Sequence, residues 1–406
     1  MRKIASLLIL ISILNSCTPQ KEKSLAEGIW IAELTAMDDV ILPFNFKLAK
    51  VAENYEIEMY NAEEVITVNE IEIKNDSILI KFPVYEGYIA GTFTENSIEG
   101  KFIKESLDRV VPFKAAYGVK ERFRNANPPV ENSTGIWEAD FENDEKEIYK
   151  AKGIFEQTGD KVTGTFRTET GDYRYLEGVM SGDSLKISAF DGAHAFVFTA
   201  KVNDSSMNGA FYSGNHSKEP FVAKRNEAFE LTSSDSLTYI KDGYDKFTFS
   251  FPNADGNQIS LEDERFKNKP VVVQIMGSWC PNCLDETKYY VNYLKENSNN
   301  DLEIIALAFE YAKTKEGAFK SIKRLEDRIG VEYPILLAQF GSSDKALAQE
   351  KLPMLNHVLS YPTSIFIDRK GNVRKIHTGF NGPATGEKFI EFQKEFDAFV
   401  KELLAE

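Results

Sequence analysis

Val271-Val272-Val273-Gln274-Ile275-Met276-Gly277-Ser278-Trp279-Cys280-Pro281-Asn282-Cys283 decides how this chain is read. The first six residues lean apolar and predict a short strand buried on both faces, as expected of a central strand. Pro281 suits the first position of a helix, where its missing N–H costs nothing and its fixed φ fits. The strand thus delivers Cys280 to a helix start. There the helix dipole and the free N–H groups stabilise a thiolate, the nucleophile of disulfide exchange. Cys283 follows one turn on, close enough to close a disulfide with Cys280. The spacing predicts a redox-active pair.

Cysteine usage sharpens that reading. The sequence holds only Cys17, Cys280 and Cys283, and four histidines. A structural zinc site usually takes four Cys or His ligands, and none of His194, His216, His357 and His377 stands at finger-like spacing. No metal and no cofactor is expected. Against 48 Lys and Arg stand 63 Asp and Glu, a net charge of −15. That excludes nucleic acid as an expected partner, because its binding needs a basic face.

Outward from the motif, strand-like and helical runs alternate, which is the α/β pattern. Helices are expected over 281–297, 314–329 and 387–404, the last with Phe389, Phe392, Phe396, Phe399 and Leu403 on one stripe. Strands are expected over 304–309, 363–367 and 373–377, the last two joined by Asp368-Arg369-Lys370-Gly371-Asn372. Residues 247–251 alternate and predict the first strand of this C-terminal domain.

Residues 28–225 follow another rule. Short stretches such as Glu56-Ile57-Glu58-Met59-Tyr60 alternate with period two, as half-buried strands do. Gly28-Ile29-Trp30 recurs 107 positions on as Gly135-Ile136-Trp137. Pro112-Phe113-Lys114-Ala115 is answered by Pro220-Phe221-Val222-Ala223 at nearly the same offset. An antiparallel all-β repeat is therefore expected, with units over 28–123 and 135–225 that form separate small domains or pack into one barrel or sandwich. Gly-x-Trp resembles the opening of lipocalin-like barrels, which implies a ligand cavity; the plainer reading is that Trp30 and Trp137 plug the base of each unit. His194 and His216 are expected at the surface, and nothing in 28–225 is expected to be catalytic. Residues 226–245 read as a linker and 246–406 as the C-terminal domain.

The N-terminus carries an address. Arg2 and Lys3 precede an apolar run too short to span a bilayer, and Leu14-Asn15-Ser16-Cys17 follows. That resembles the lipobox of bacterial lipoproteins, with Cys17 as the lipidated residue. Residues 1–17 are expected to be the signal segment and 18–27 a polar tether. The resemblance implies a lipid-anchored protein of the cell envelope that faces the periplasm.

The order of C-terminal elements, the WCxxC at a strand-to-helix junction and Tyr361-Pro362-Thr363 before the last hairpin resemble the thioredoxin fold. More narrowly they are similar to the TlpA/ResA family of membrane-tethered thiol-disulfide oxidoreductases, over roughly 245–404. The resemblance implies roles. Cys280 attacks and Cys283 resolves the mixed disulfide. Pro362 is a cis proline facing the pair, flanked by Tyr361 and Thr363 in the docking surface. Trp279 lies over the disulfide. Glu286, at the place of the acidic residue in WCxxCxxE, accepts the proton of Cys283; the alternative is a solvated glutamate on the helix surface. There are departures. Asn282 stands where the family often has proline, and the residues between the cysteines tune the potential, so the direction of electron flow stays open. Gln274 occupies the place of the buried aspartate of thioredoxins and cannot act as a charged base.

The expected activity is that of a reductase for disulfides in exported proteins, such as apocytochromes, recharged by a membrane thiol-electron carrier of the CcdA/DsbD kind. The alternative from another class is a binding or envelope-assembly lipoprotein in which the β-repeats hold a ligand or partner. A thiol peroxidase would share the fold, but Trp279 and the closely spaced Cys283 speak against it.

Overall fold

A computed structural model of the chain describes residues 24–124, 127–298 and 300–406. The expected signal segment with Cys17, and the first part of the expected tether, lie outside the described residues.

The two β-repeats form two barrels. In the first, strands Gly28–Thr35, Ile41–Val51 and Asn54–Asn61 pair in sequence order. Glu64–Val68 and Glu70–Lys74 behave as one strand interrupted at Asn69. The first half pairs back to Asn54–Asn61 and the second pairs forward to Ser77–Lys81. Tyr88–Phe93, Ser97–Lys104 and Arg109–Tyr117 continue the meander, and the last returns to Gly28–Thr35.

The second barrel repeats this order and closes by hydrogen bonds throughout. Gly135–Glu142 pairs with both Ile148–Thr158 and Ser217–Arg225, and Lys161–Thr168 pairs with Ile148–Thr158, Gly171–Asp172 and Leu176–Ser181. Closure removes the exposed sheet edges that would otherwise template aggregation. Period-two alternation drives it. Trp137, Ala139 and Phe141 point inward with no exposed surface, while Ile136, Glu138 and Asp140 face outward.

The repeat is repeated in detail. Trp30 and Trp137 are both fully buried, and each indole N–H donates to the carbonyl four residues back, Ala26 at 3.0 Å and Ser133 at 2.9 Å. Aromatic rings occupy the second barrel's interior. Phe141 stacks on Phe221 at 4.7 Å, and Phe166 lies 5.0 Å from Phe198. The barrels also pack on each other. Phe190 of the second enters the first barrel's core, stacked 4.5 Å from Phe44, while Asn61 exchanges two hydrogen bonds with its backbone.

The C-terminal domain is an α/β unit of thioredoxin fold. Its five-stranded sheet runs Ile335–Gln339, Glu303–Phe309, Val271–Met276, Thr363–Ile367, Val373–Thr378. The first three are parallel and the last two antiparallel to their neighbours. Val271–Met276 is central and buried at every residue, which is why it reads as an apolar run broken only at Gln274. Helices span Pro281–Glu296, Lys315–Ile329, Lys345–Lys351 and Glu387–Ala405. Thr314 caps the second, accepting the Gly317 N–H at 3.0 Å.

Two expectations need correction. Only Ser250 and Phe251 of the expected strand over 247–251 pair, in a strand Ser250–Pro252 against Gln258–Ser260, because Phe247 and Phe249 are drawn into the core instead. Strand Ile335–Gln339 and helix Lys345–Lys351 were not anticipated. One is a five-residue strand with four apolar residues and the other a two-turn helix, both too short for periodicity to register.

Candidate active site

Strand Val271–Met276 ends one turn before the helix that Pro281 begins, so Cys280 occupies the N-cap. Its sulfur accepts the Cys283 N–H at 3.1 Å and lies 3.3 Å from the Tyr361 carbonyl oxygen. Cys280 and Cys283 are disulfide-bonded, with Cα atoms 5.2 Å apart. The orphan amide at the helix start is what favours negative charge on sulfur once the bond is reduced. The Tyr361–Pro362 peptide is cis, and the buried Thr363 donates to the Ser360 carbonyl at 2.9 Å. Trp279 is half-buried. Its ring meets Tyr361 edge-on at 5.7 Å and its N–H donates to the Phe309 carbonyl at 2.9 Å.

Glu286 is fully buried, so the reading of a solvated helix-surface glutamate is corrected. The helix face it shares with Cys283, three residues earlier, packs on the sheet rather than facing water. Gln274 Nε2 donates to it at 2.7 Å, and the Ser364 and Tyr290 hydroxyls donate at 2.9 and 3.1 Å. Burial pushes its carboxyl up to about 7, against those three hydrogen bonds, which hold it lower. A carboxyl poised there gives and takes a proton near neutral pH. Gln274 is therefore a neutral donor that positions Glu286.

Glu310 was not singled out in the sequence. It is buried, and it accepts the Ser278 N–H at 2.7 Å and the Ser278 hydroxyl at 2.8 Å. With the Trp279–Phe309 bond it fixes the loop that carries Trp279. Burial raises its carboxyl to about 7. Among the described residues no group of three or more His, Cys, Asp or Glu is arranged to hold a metal ion.

The largest departure from the sequence reading is what covers this site. Cys280 is only 4% exposed and Cys283 not at all. The turn between Lys161–Thr168 and Gly171–Asp172 of the second barrel lies against the loops around the disulfide. Gly171 approaches so closely that a Cβ there would stand 1.7 Å from the side-chain nitrogen of Asn282. Its φ of +147° also favours glycine. The Thr170 carbonyl accepts the Ser360 hydroxyl at 3.0 Å, next to Tyr361 and the cis proline. Asp172 accepts the Gly382 N–H at 2.6 Å, and Arg167 donates to Asn381 at 2.8 Å.

Arg174 completes the cover. It donates to Asp285 at 2.7 Å, to the Pro281 carbonyl at 3.3 Å and to Glu64 of the first barrel. Burial alone would lower its pKa, but the carboxylates of Asp285 and Glu64 hold it well above the ordinary value. His194 is likewise not a surface residue. Its ring is largely buried and its Nδ1 lies 2.9 Å from Asp191, which in turn faces Arg174. Residues 28–225 thus pack around the disulfide of the C-terminal domain. His216 is exposed.

Comparison with known proteins fits this geometry. Residues 242–389 match the Redoxin family. The chain is 28% identical over 140 residues to the thioredoxin-like protein YneN of Bacillus subtilis, covering 34% of this chain and 73% of that relative. It is 27% identical over 142 residues to the thiol-disulfide oxidoreductase ResA of the same organism, covering 34% of this chain and 69% of ResA. A thiol-disulfide oxidoreductase structure from Bacteroides fragilis overlaps 37% of this chain and 99% of its own, at 21% identity and a TM-score of 0.27. The C-terminal domain is a redoxin domain. Its Cys280–Cys283 pair makes the chain a thiol-disulfide oxidoreductase.

Proposed function

We propose that the protein is a membrane-tethered reductase of disulfides in exported proteins. The observation that supports it best is the placement of Cys280, with an amide N–H on its sulfur, the Tyr361 carbonyl before it and a buried proton acceptor on the same helix. In the reduced enzyme the Cys280 thiolate attacks a substrate disulfide, forming a mixed disulfide and releasing a substrate thiolate that takes up a proton. Cys283 then loses its proton and attacks the Cys280 sulfur. The second substrate sulfur leaves and is protonated, and Cys280–Cys283 is oxidised by two electrons. Glu286, buried three residues after Cys283 on the same helix, takes the Cys283 proton in this reading.

A lipid on Cys17 would hold the enzyme at the membrane. There a dithiol carrier of the CcdA/DsbD kind would return the two electrons, and apocytochromes would be among the substrates. The reduction potential tests the direction. Equilibration with a dithiothreitol couple should give a value near that of thioredoxin, about −270 mV. A value near that of a strong oxidant, about −120 mV, would make the protein a disulfide donor instead.

A further inference from the structure

Beside Trp279, where both barrels meet the redoxin domain, lies an open cavity of about 200 Å³. Its wall includes Lys104 and Arg109 from the first barrel, His194 and His216 from the second, and Trp279 and Tyr311 from the redoxin domain. No aspartate or glutamate lines it. In a chain of net charge −15 that wall runs against the surrounding charge, and a cleft lined by one sign concentrates ions of the other.

The two cations are short of partners. Lys104 is 4% exposed, its ammonium 3.4 Å from the Ala193 carbonyl and 5.7 Å from the centre of the Tyr311 ring. Arg109 is half-buried. Among the described residues neither makes an ion pair, whereas Arg174, as buried as Lys104, is met by Asp285 and Glu64. A desolvated cation without a counter-ion is costly, and a bound anion removes that cost. Burial lowers Lys104 to about 8, with Asp191 and Glu86 acting in the opposite sense, and lowers Arg109 as well. His216 lines the same cavity with its outer edge in solvent, and partial desolvation there, then Arg109 and Lys104, hold it down to about 4.

We propose that this cavity binds a small carboxylate-bearing molecule, its carboxylate held by Arg109 and Lys104 and its remainder against the Trp279 ring. Trp279 immediately precedes Cys280, so the ligand sits beside the redox pair. Its identity as a small thiol or disulfide substrate rests on the oxidoreductase reading; its binding does not. A carboxylate also comes from the acidic side chain of a docked protein, and the test separates the two sources.

The test is titration calorimetry of the full chain with S-methylglutathione, which carries carboxylates but cannot exchange its sulfur. Binding is expected, weaker at high salt, retained in R109K and weakened about tenfold or more in R109Q, the size of a lost charged hydrogen bond. Matching melting curves of R109K and R109Q would show that both variants fold. A cysteine-free, glutamate-rich peptide is the second arm. If it binds with Arg109 dependence and S-methylglutathione does not, the carboxylate belongs to a protein partner and the small-molecule assignment fails. If neither probe's affinity depends on residue 109, the site itself is overturned. Turnover of oxidised glutathione is read separately: binding without turnover keeps the site and removes only its substrate role.

Discussion

The two barrels share one strand order and use the same part of it differently. After the third strand the first barrel continues with Glu64 and the second, 107 positions on, with Gly171. Glu64 reaches outward to Arg174, and Glu70 of the same barrel pairs with Arg324 at 2.7 Å and with Arg328 on helix Lys315–Ile329. Glu177, the counterpart of Glu70, stays among the barrels with Lys161 and Arg122. The second barrel instead lays its backbone against Asn282, between the two cysteines, which Gly171 permits because it has no Cβ. One copy props the redoxin domain at a helix; the other covers its chemistry. A repeat keeps its core and varies the edge, since the core is fixed by packing and the edge by whatever it meets.

The shared core gives the largest expected effect. Trp30→Ala and Trp137→Ala each remove a fully buried indole and its hydrogen bond, and each should cost about 3–5 kcal/mol. Urea unfolding followed by circular dichroism should show similar losses in the two variants. Losses that differ by more than about 2 kcal/mol would break the equivalence of the cores.

The edges should differ where the cores agree. Arg174→Ala strands Asp285, Asp191 and Glu64 without their shared cation, and removing one partner of a buried charge cluster costs about 3–5 kcal/mol. Dithiothreitol should then reduce Cys280–Cys283 at least about tenfold faster, since exchange needs access to a sulfur. Glu70→Ala removes part-exposed pairs worth about 1 kcal/mol or less and should change that rate only slightly. Equal rates in Arg174→Ala and the unaltered protein would show that the second barrel does not govern access.

An effect of intermediate size lies inside the redoxin domain, which neither barrel should alter. Glu286 has its carboxyl raised from 4.5 to about 7. Its protonated form is therefore favoured on folding, so its contribution to stability is fullest below about 4.5 and declines as pH rises toward 7. The decline is at most about 3 kcal/mol. Glu286→Gln should lack that slope and gain on the unaltered protein between pH 5 and pH 8. Glu310 and Asp172, raised for the same reason of burial, contribute equally to both proteins and cancel. Parallel stability curves across this range would mean that Glu286 is ionised as easily in the folded chain as in the unfolded one.

Much of the redoxin domain was legible because its signals are local. A six-residue apolar strand, a proline at a helix start and two cysteines one turn apart all act within a few bonds of each other. The repeat was legible for a related reason: Gly-Ile-Trp marks a strand opening and recurs whole. Glu286 was found by position, but its burial was not, since helix periodicity does not say which neighbour a face meets. Arg174, Asp172 and Gly171 were invisible, because their partners Asp285, Gly382 and Asn282 stand more than a hundred residues away. A lone arginine in an alternating strand looks like any outward-facing charge.

The sequence by itself therefore determined the strand-to-helix delivery of Cys280, the partner cysteine, the α/β pattern around them and the doubling of the β-region. Each follows from periodicity, propensity or spacing, which are properties of short segments. Only the tertiary structure decided that each repeat closes into a barrel and that Glu286 lies in the core. The same holds for the turn of the second barrel that covers the disulfide, and for Lys104 and Arg109 meeting beside Trp279. Those outcomes depend on which distant surfaces exclude water together, and burial and charge pairing across such distances are not written in any one stretch of the chain.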